Sequence, residues 1–242
     1  MDRTSARPSR VVFSVAVLSL ALATAATAMA VDVSGTLRVP SDYGRTPPQD
    51  GDEARRDRYW DQWNGFIEPR PRGFDAARDL AVVLTGEGEL APEQPGFRLA
   101  NGGLWPTTIV ERTGRRLEIE NTDPVAHELA ADGLDGFNAT AVAPGRVRRV
   151  DIDLPEGHWA ISDTLYAHVR GHLHAIPDLV ARATVQSDGS YRFTGVPPGT
   201  YTLKVFHGAE IVHTQEGIEV EERELTLEPV PLGVGAPAEA EQ

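Results

Sequence analysis

The sequence predicts an all-β protein built as two β-sandwiches on one chain. Three observations lead there. Past residue 30 almost every segment is a short apolar or alternating run closed by Gly, Pro, Asn or Asp, and none carries apolar residues convincingly at helical spacing. Turn signals recur about every 8–12 residues, the spacing of stacked antiparallel strands. The pattern changes character near residues 91 and 178, and about 210 residues suffice for two small cores.

Taken in order, the chain opens with Arg3, Arg7 and Arg10 ahead of the apolar run VVFSVAVLSLALATAA, then Ala28-Met29-Ala30. A basic start, a short apolar core and small residues at a cleavage point are the composition of a signal peptide, here residues 1–30. The run is too short and too rich in Ala, Ser and Thr for a retained span, and no second apolar segment follows. An exported, soluble chain beginning near Val31, periplasmic or secreted, is expected.

VDVSGTLRV (31–39) alternates as a strand, and DLAVVLTG (79–86) is apolar enough to be buried on both faces. An insert at 41–78 separates residues 31–40 from residues 79–90, which carry these two strands. In that insert Tyr59, Trp60, Trp63 and Phe66 fall at i, i+1, i+4 and i+7, on one face of a short helix or packed loop. They either anchor the loop to its own domain or form an aromatic docking face for a protein partner of the cell envelope.

Residues 91–178 hold a second set of strands: FRLANGG, TTIVERTG, RRLEIENTD, HELAADG, APGRVRRVDIDLPEGHWAISD and HVRGHLHAI. Residues 179–232 read as strand, Asp-Gly turn, strand, Pro-Pro-Gly turn, strand and a closing pair. Gly189 and Gly199 are expected to supply the turn conformations. Residues 233–242 are a small, acidic tail expected to be disordered.

The whole chain has a formal charge of −13; without residues 1–30 it keeps 20 basic and 35 acidic side chains, a charge of −15. That field repels nucleic acid and anionic lipid. Cysteine is absent, which removes disulfides, thiol catalysis, iron–sulfur clusters and thiolate-bound copper. Nucleophile-elbow, zincin and phosphate-loop motifs are missing, and Asp151 and Asp153 read as ordinary strand alternation, so no enzyme is predicted.

The stretch GHLHAIP (171–177) puts His172 and His174 on one face of a strand, where two imidazoles have chelate spacing or simply pack. His158, His207 and His213 read as turn, strand-end and hairpin residues. Arg146, Arg148 and Arg149 form a basic spot expected to be neutralised by the acids of the nearby DID (151–153) and LPEG (154–157).

Two segments resemble known families. TVQSDGSYRFTGVPPGTYTLKVFHG is similar to the carboxypeptidase regulatory-like module, a transthyretin-like sandwich. The resemblance implies that strands 31–39 and 79–86 belong to that module, which makes the middle segment an insertion in it or a neighbour of it. The middle segment resembles the cupredoxin-like, Greek-key domain of plastocyanin and methylamine-utilisation proteins. Pro106, Gly114, LEIE, Asn121, Asp123, Pro124 and His127 match its opening pattern.

His127 would be that family's first copper ligand. The family's Val-x-Cys-x-Ile-His-x-x-Met-Arg-Gly aligns on Arg170-Gly171, which puts Asp163 at the Cys, Tyr166 at the His and Val169 at the Met. The resemblance thus implies the sandwich without the blue-copper ligands. One reading is a binding or assembly module with no cofactor, Asp163 and Tyr166 filling the old pocket through a hydrogen bond. The other is a thiolate-free copper(II) or zinc(II) site drawing on His127, Asp163, His168, His172 and His174.

Overall fold

The computed structural model describes residues 30–44, 73–150, 153–221 and 223–233. Residues 1–29, the residues Tyr59, Trp60, Trp63 and Phe66, and nearly all of the acidic tail lie outside them. The chain starts with β1 (Val31–Arg38), then makes one helical turn, α1 (Ala76–Asp79), and β2 (Leu80–Thr85). The start of the turn is capped by its own acids: Asp75 Oδ1 accepts from Ala77 N (3.0 Å) and Asp79 Oδ2 reaches back to accept from Asp75 N (2.8 Å). Asp79 is therefore helical, one residue short of the strand expected from the sequence.

Nine strands follow as a separate body: β3 (Phe97–Leu99), β4 (Leu104–Trp105), β5 (Thr108–Arg112), β6 (Leu117–Asn121), β7 (His127–Ala131), β8 (Thr140–Val142), β9 (Val147–Val150), β10 (Gly157–Asp163) and β11 (Arg170–Ile176). The chain then returns to the first body through β12 (Leu179–Arg182), β13 (Thr184–Val185), β14 (Ser190–Val196), β15 (Gly199–His207), β16 (Glu210–Val220), β17 (Leu225–Thr226) and β18 (Val230–Pro231). Sheets β12-β2-β15-β16 and β13-β14-β1-β17, with β18 also beside β1, make the first sandwich. Sheets β5-β11-β10-β7-β8 and β4-β3-β6-β9 make the second. The protein is all-β with four sheets in two sandwiches.

Two-residue alternation builds each core. Val33 and Leu37 of β1 meet Val82, Leu84, Phe193, Leu203 and Val205 in the first; Leu99, Ile119, Leu129, Ile161 and Leu173 fill the second. β2 is buried along its whole length because both of its faces are used. Leu80, Val82 and Leu84 enter the first core, while Ala81 and Val83 join Val110, Leu179 and Phe206 in an apolar layer between the sandwiches. Within the span read as an insert, Tyr43 is buried in the first core and Phe74 packs on it, ring centroids 4.9 Å apart.

Gly189 has φ +85°, and a Cβ there would lie 2.5 Å from the Leu37 carbonyl oxygen. Gly199 differs from expectation. Its backbone is not left-handed; a Cβ would instead strike the Tyr201 hydroxyl at 2.8 Å, and that hydroxyl donates to the Pro197 carbonyl at 2.8 Å. Close approach, not turn conformation, requires glycine there.

Candidate functional site

His127 sits at the start of β7 with its ring turned into the second sandwich, 1 % exposed. The turn before it is fixed by Asn121, which is fully buried. Its Oδ1 accepts from Asp123 N (3.0 Å), and its Nδ2 donates to the carbonyls of Val125 (2.9 Å) and Val142 (2.8 Å). Asp123 is thereby aimed inward, its Oδ2 lying 3.2 Å from His127 Nε2 and accepting from Gly102 N at 2.9 Å.

Asp163 closes the other side. Its Oδ2 lies 2.6 Å from His127 Nδ1, and its Oδ1 accepts from the backbone N–H groups of Leu165 (2.8 Å), Tyr166 (3.2 Å) and Glu128 (3.3 Å). Both ring nitrogens thus face carboxylate oxygens, at 2.6 and 3.2 Å. The bond between Asp163 and Tyr166 comes from the Tyr166 backbone. Its phenol ring lies beside the imidazole, centroids 5.2 Å apart.

The residues present do not fit a blue-copper ion. No thiolate exists in the chain, the only methionines are Met1 and Met29, and Val169 is an apolar side chain packed in the second core. A metal on His127 would have to displace a carboxylate partner from a buried nitrogen.

The histidines of GHLHAIP do not join His127. Gly171, Leu173 and Ala175 of β11 point into the second core, so strand alternation sends His172 and His174 out through the opposite face of the sheet. His168 is exposed in the loop before β11, its ring 6.1 Å from Tyr166. The five residues of the metal reading are thus divided between two faces and a loop. Among the described residues no group of three or more His, Asp or Glu side chains converges as a metal site.

His172 and His174 instead reach the seam between the sandwiches. There they meet two histidines that the sequence left as ordinary turn and strand-end residues. His158 pairs across β10–β11 with His174, rings stacked at 4.5 Å, and its Nε2 lies 3.0 Å from His172 Nδ1. His174 Nε2 donates to the carbonyl of Gly208, in the β15–β16 turn, at 2.7 Å, and its ring packs on Phe206 at 4.8 Å. Gly208 N donates to Thr108 Oγ1, which donates to the Asp79 carbonyl, each at 2.8 Å. His207 ends β15 with its ring against both Tyr43 and Phe74, centroids 5.4 and 5.7 Å away.

Burial pushes His174 down to about 4, its bond to Gly208 opposing and the His158 and His172 charges adding. Burial also lowers His172, helped by His158 and His207. It lowers His207 against the pull of Asp79 and Glu210.

An ion pair also crosses the seam: Arg182 Nη1 lies 2.8 Å from Glu111 Oε2, and the guanidinium sits 4.3 Å from the Phe97 ring centroid. Neither residue stood out in the sequence. Of the basic spot, Arg149 pairs with Glu118 of β6 at 2.8 Å, while Arg148 donates to the Asn138 carbonyl at 3.1 Å.

No protein-family model matches the chain, and no curated protein is similar to it. Solved structures are similar over part of it. A purple cupredoxin from Nitrosopumilus maritimus is 17 % identical, covering 32 % of this chain and 85 % of its own, with a TM-score of 0.28. Amicyanin from Paracoccus versutus is 14 % identical, covering 39 % of this chain and 96 % of its own, with a TM-score of 0.31. A reduced amicyanin mutant is 13 % identical, covering 39 % and 97 %, with a TM-score of 0.31.

Proposed function

We propose that the protein is an exported, non-catalytic binding or assembly module of the cell envelope, whose second sandwich is a rigid scaffold and not a metal or redox centre. The observation that carries this reading is the closure of His127 by Asp123 and Asp163, which occupies both nitrogens of the imidazole that a metal site would use first. The absence of cysteine supports it.

The contact surface we propose is the aromatic insert with Tyr59, Trp60, Trp63 and Phe66. Tyr43 and Phe74, on either side of it, pack on one another and on His207, so the first sandwich keeps its anchor when the middle of the insert is removed. Deleting residues 55–70 tests the reading. Cross-linking of residues 31–242 to an envelope protein should disappear while the thermal transition moves by only a few degrees. An unfolded deletion variant would make the aromatics part of the core, and undiminished cross-linking would place the contact elsewhere.

A further inference from the structure

We propose that His158, His172 and His174 form a proton-operated latch between the two sandwiches, closed while the imidazoles are neutral and released when they take up protons. This goes beyond the scaffold reading, since a module of either function could carry it. Four of the chain's seven histidines stand at this one seam: these three and His207.

The geometry favours neutral rings. The His158 Nε2–His172 Nδ1 contact of 3.0 Å needs one donor and one acceptor, so it fails when both rings carry two protons. His174, 6 % exposed, spends its Nε2–H on the Gly208 carbonyl, and a second proton on the ring sets a buried charge against the stacked His158. The acids facing the seam are few. Asp79 of α1 is tied to Arg78 at 2.6 Å, Glu111 of β5 is tied to Arg182, and Glu210 begins β16 beside Tyr43 and His207. No carboxylate bonds to His158, His172 or His174 among the described residues, so added protons meet other imidazoles first.

The sign follows from linkage. A histidine held below its ordinary value stabilises the closed seam fully above about 6.5, and that contribution is lost as pH falls toward the folded value. For His174, lowered from 6.5 to about 4, the closed-to-open ratio should drop ~30-fold between pH 7.5 and 5.

The Gly208 amide, which donates across the seam to Thr108, reports opening. Its hydrogen-exchange protection factor in the chain from Val31 should fall ~30-fold from pH 7.5 to 5 and should stay well below that of amides in the two sandwich cores, which open only when a sandwich unfolds. His174→Gln, which keeps a side-chain N–H without a titrating ring, should reduce the fall to a few-fold. An unchanged Gly208 protection factor, or one equal to that of the core amides at both pH values, which would mean that the seam opens only with global unfolding, would overturn the latch. Where the Gln variant does not fold, the carbon-detected titration of the His174 ring in the unmodified chain decides. Charging near pH 4 in step with seam opening supports the latch, and charging near 6.5 with the seam still protected overturns it.

Discussion

His127 Nδ1 and Asp163 Oδ2 lie 2.6 Å apart although 36 residues separate them, and both side chains are shut away from solvent. The contact ties β7 to the end of β10. Because Asp163 also receives three backbone N–H groups, it organises the loop from 164 to 169 as well as the imidazole.

Removing that carboxylate should therefore cost more than an ordinary surface change. Asp163→Ala strands a buried ring and three amides, and an unpaired buried group of this kind costs about 3–5 kcal/mol. Urea unfolding of the variant measures it. A loss below about 1 kcal/mol would mean that the cluster contributes little.

The seam pair Arg182–Glu111, with side chains 11 % and 8 % exposed, should behave asymmetrically. Arg182→Ala leaves a nearly buried carboxylate and should cost about 3–5 kcal/mol, whereas the double change Arg182→Met with Glu111→Leu should recover most of it. A double variant as unstable as the single one would show that the pair stabilises the seam beyond repairing its own desolvation.

Gly35 faces Tyr191 across β1–β14, and a Cβ there would fall 2.3 Å from the tyrosine hydroxyl. That hydroxyl is buried without a partner among the described residues, and burial pushes Tyr191 up to about 12. Gly35→Ala should destabilise by about 1–3 kcal/mol through overpacking. Tyr191→Phe, which removes an unsatisfied oxygen, should be neutral or stabilising, but the ring carbon that bore it stays 2.4 Å from the added Cβ, so the Gly35→Ala penalty should largely persist in that background. A Gly35→Ala variant as stable as the parent would remove the contact as a constraint.

Acid should weaken the fold through the same histidines that line the seam. With His172, His174 and His207 all held below 6.5, the unfolded chain binds more protons, so stability should climb as pH rises from about 4 to 6.5 and level above. His174 alone accounts for ~3 kcal/mol of that climb. Urea midpoints at pH 5 and 7.5 test it, and a flat profile would contradict the burial of these rings.

What could be read in advance was local. The unbroken apolar run of β2 announced burial on both faces, and alternation announced the strands. His127 and Asp163 were marked by their position in a familiar pattern, though nothing in the spacing showed Asp123 as the second carboxylate. The alternation of β11 also implied that His172 and His174 share a face, yet not which face. That depends on Leu173 and Ala175 going inward. His158 opposite His174, and Glu111 against Arg182, are products of strand register and of docking between sandwiches. Such pairings 16 to 71 residues apart leave no periodic signal.

The central claim is that the His127 corner is closed by carboxylates and serves structure. Isothermal titration of copper(II) and zinc(II) into residues 31–242 without a histidine tag, beside His127→Ala, addresses it most directly. The account predicts that neither ion binds one-to-one through His127, so any heat is the same in both proteins. Submicromolar binding near one ion per chain, lost in His127→Ala with the fold retained, would contradict it and make the corner a rebuilt metal site.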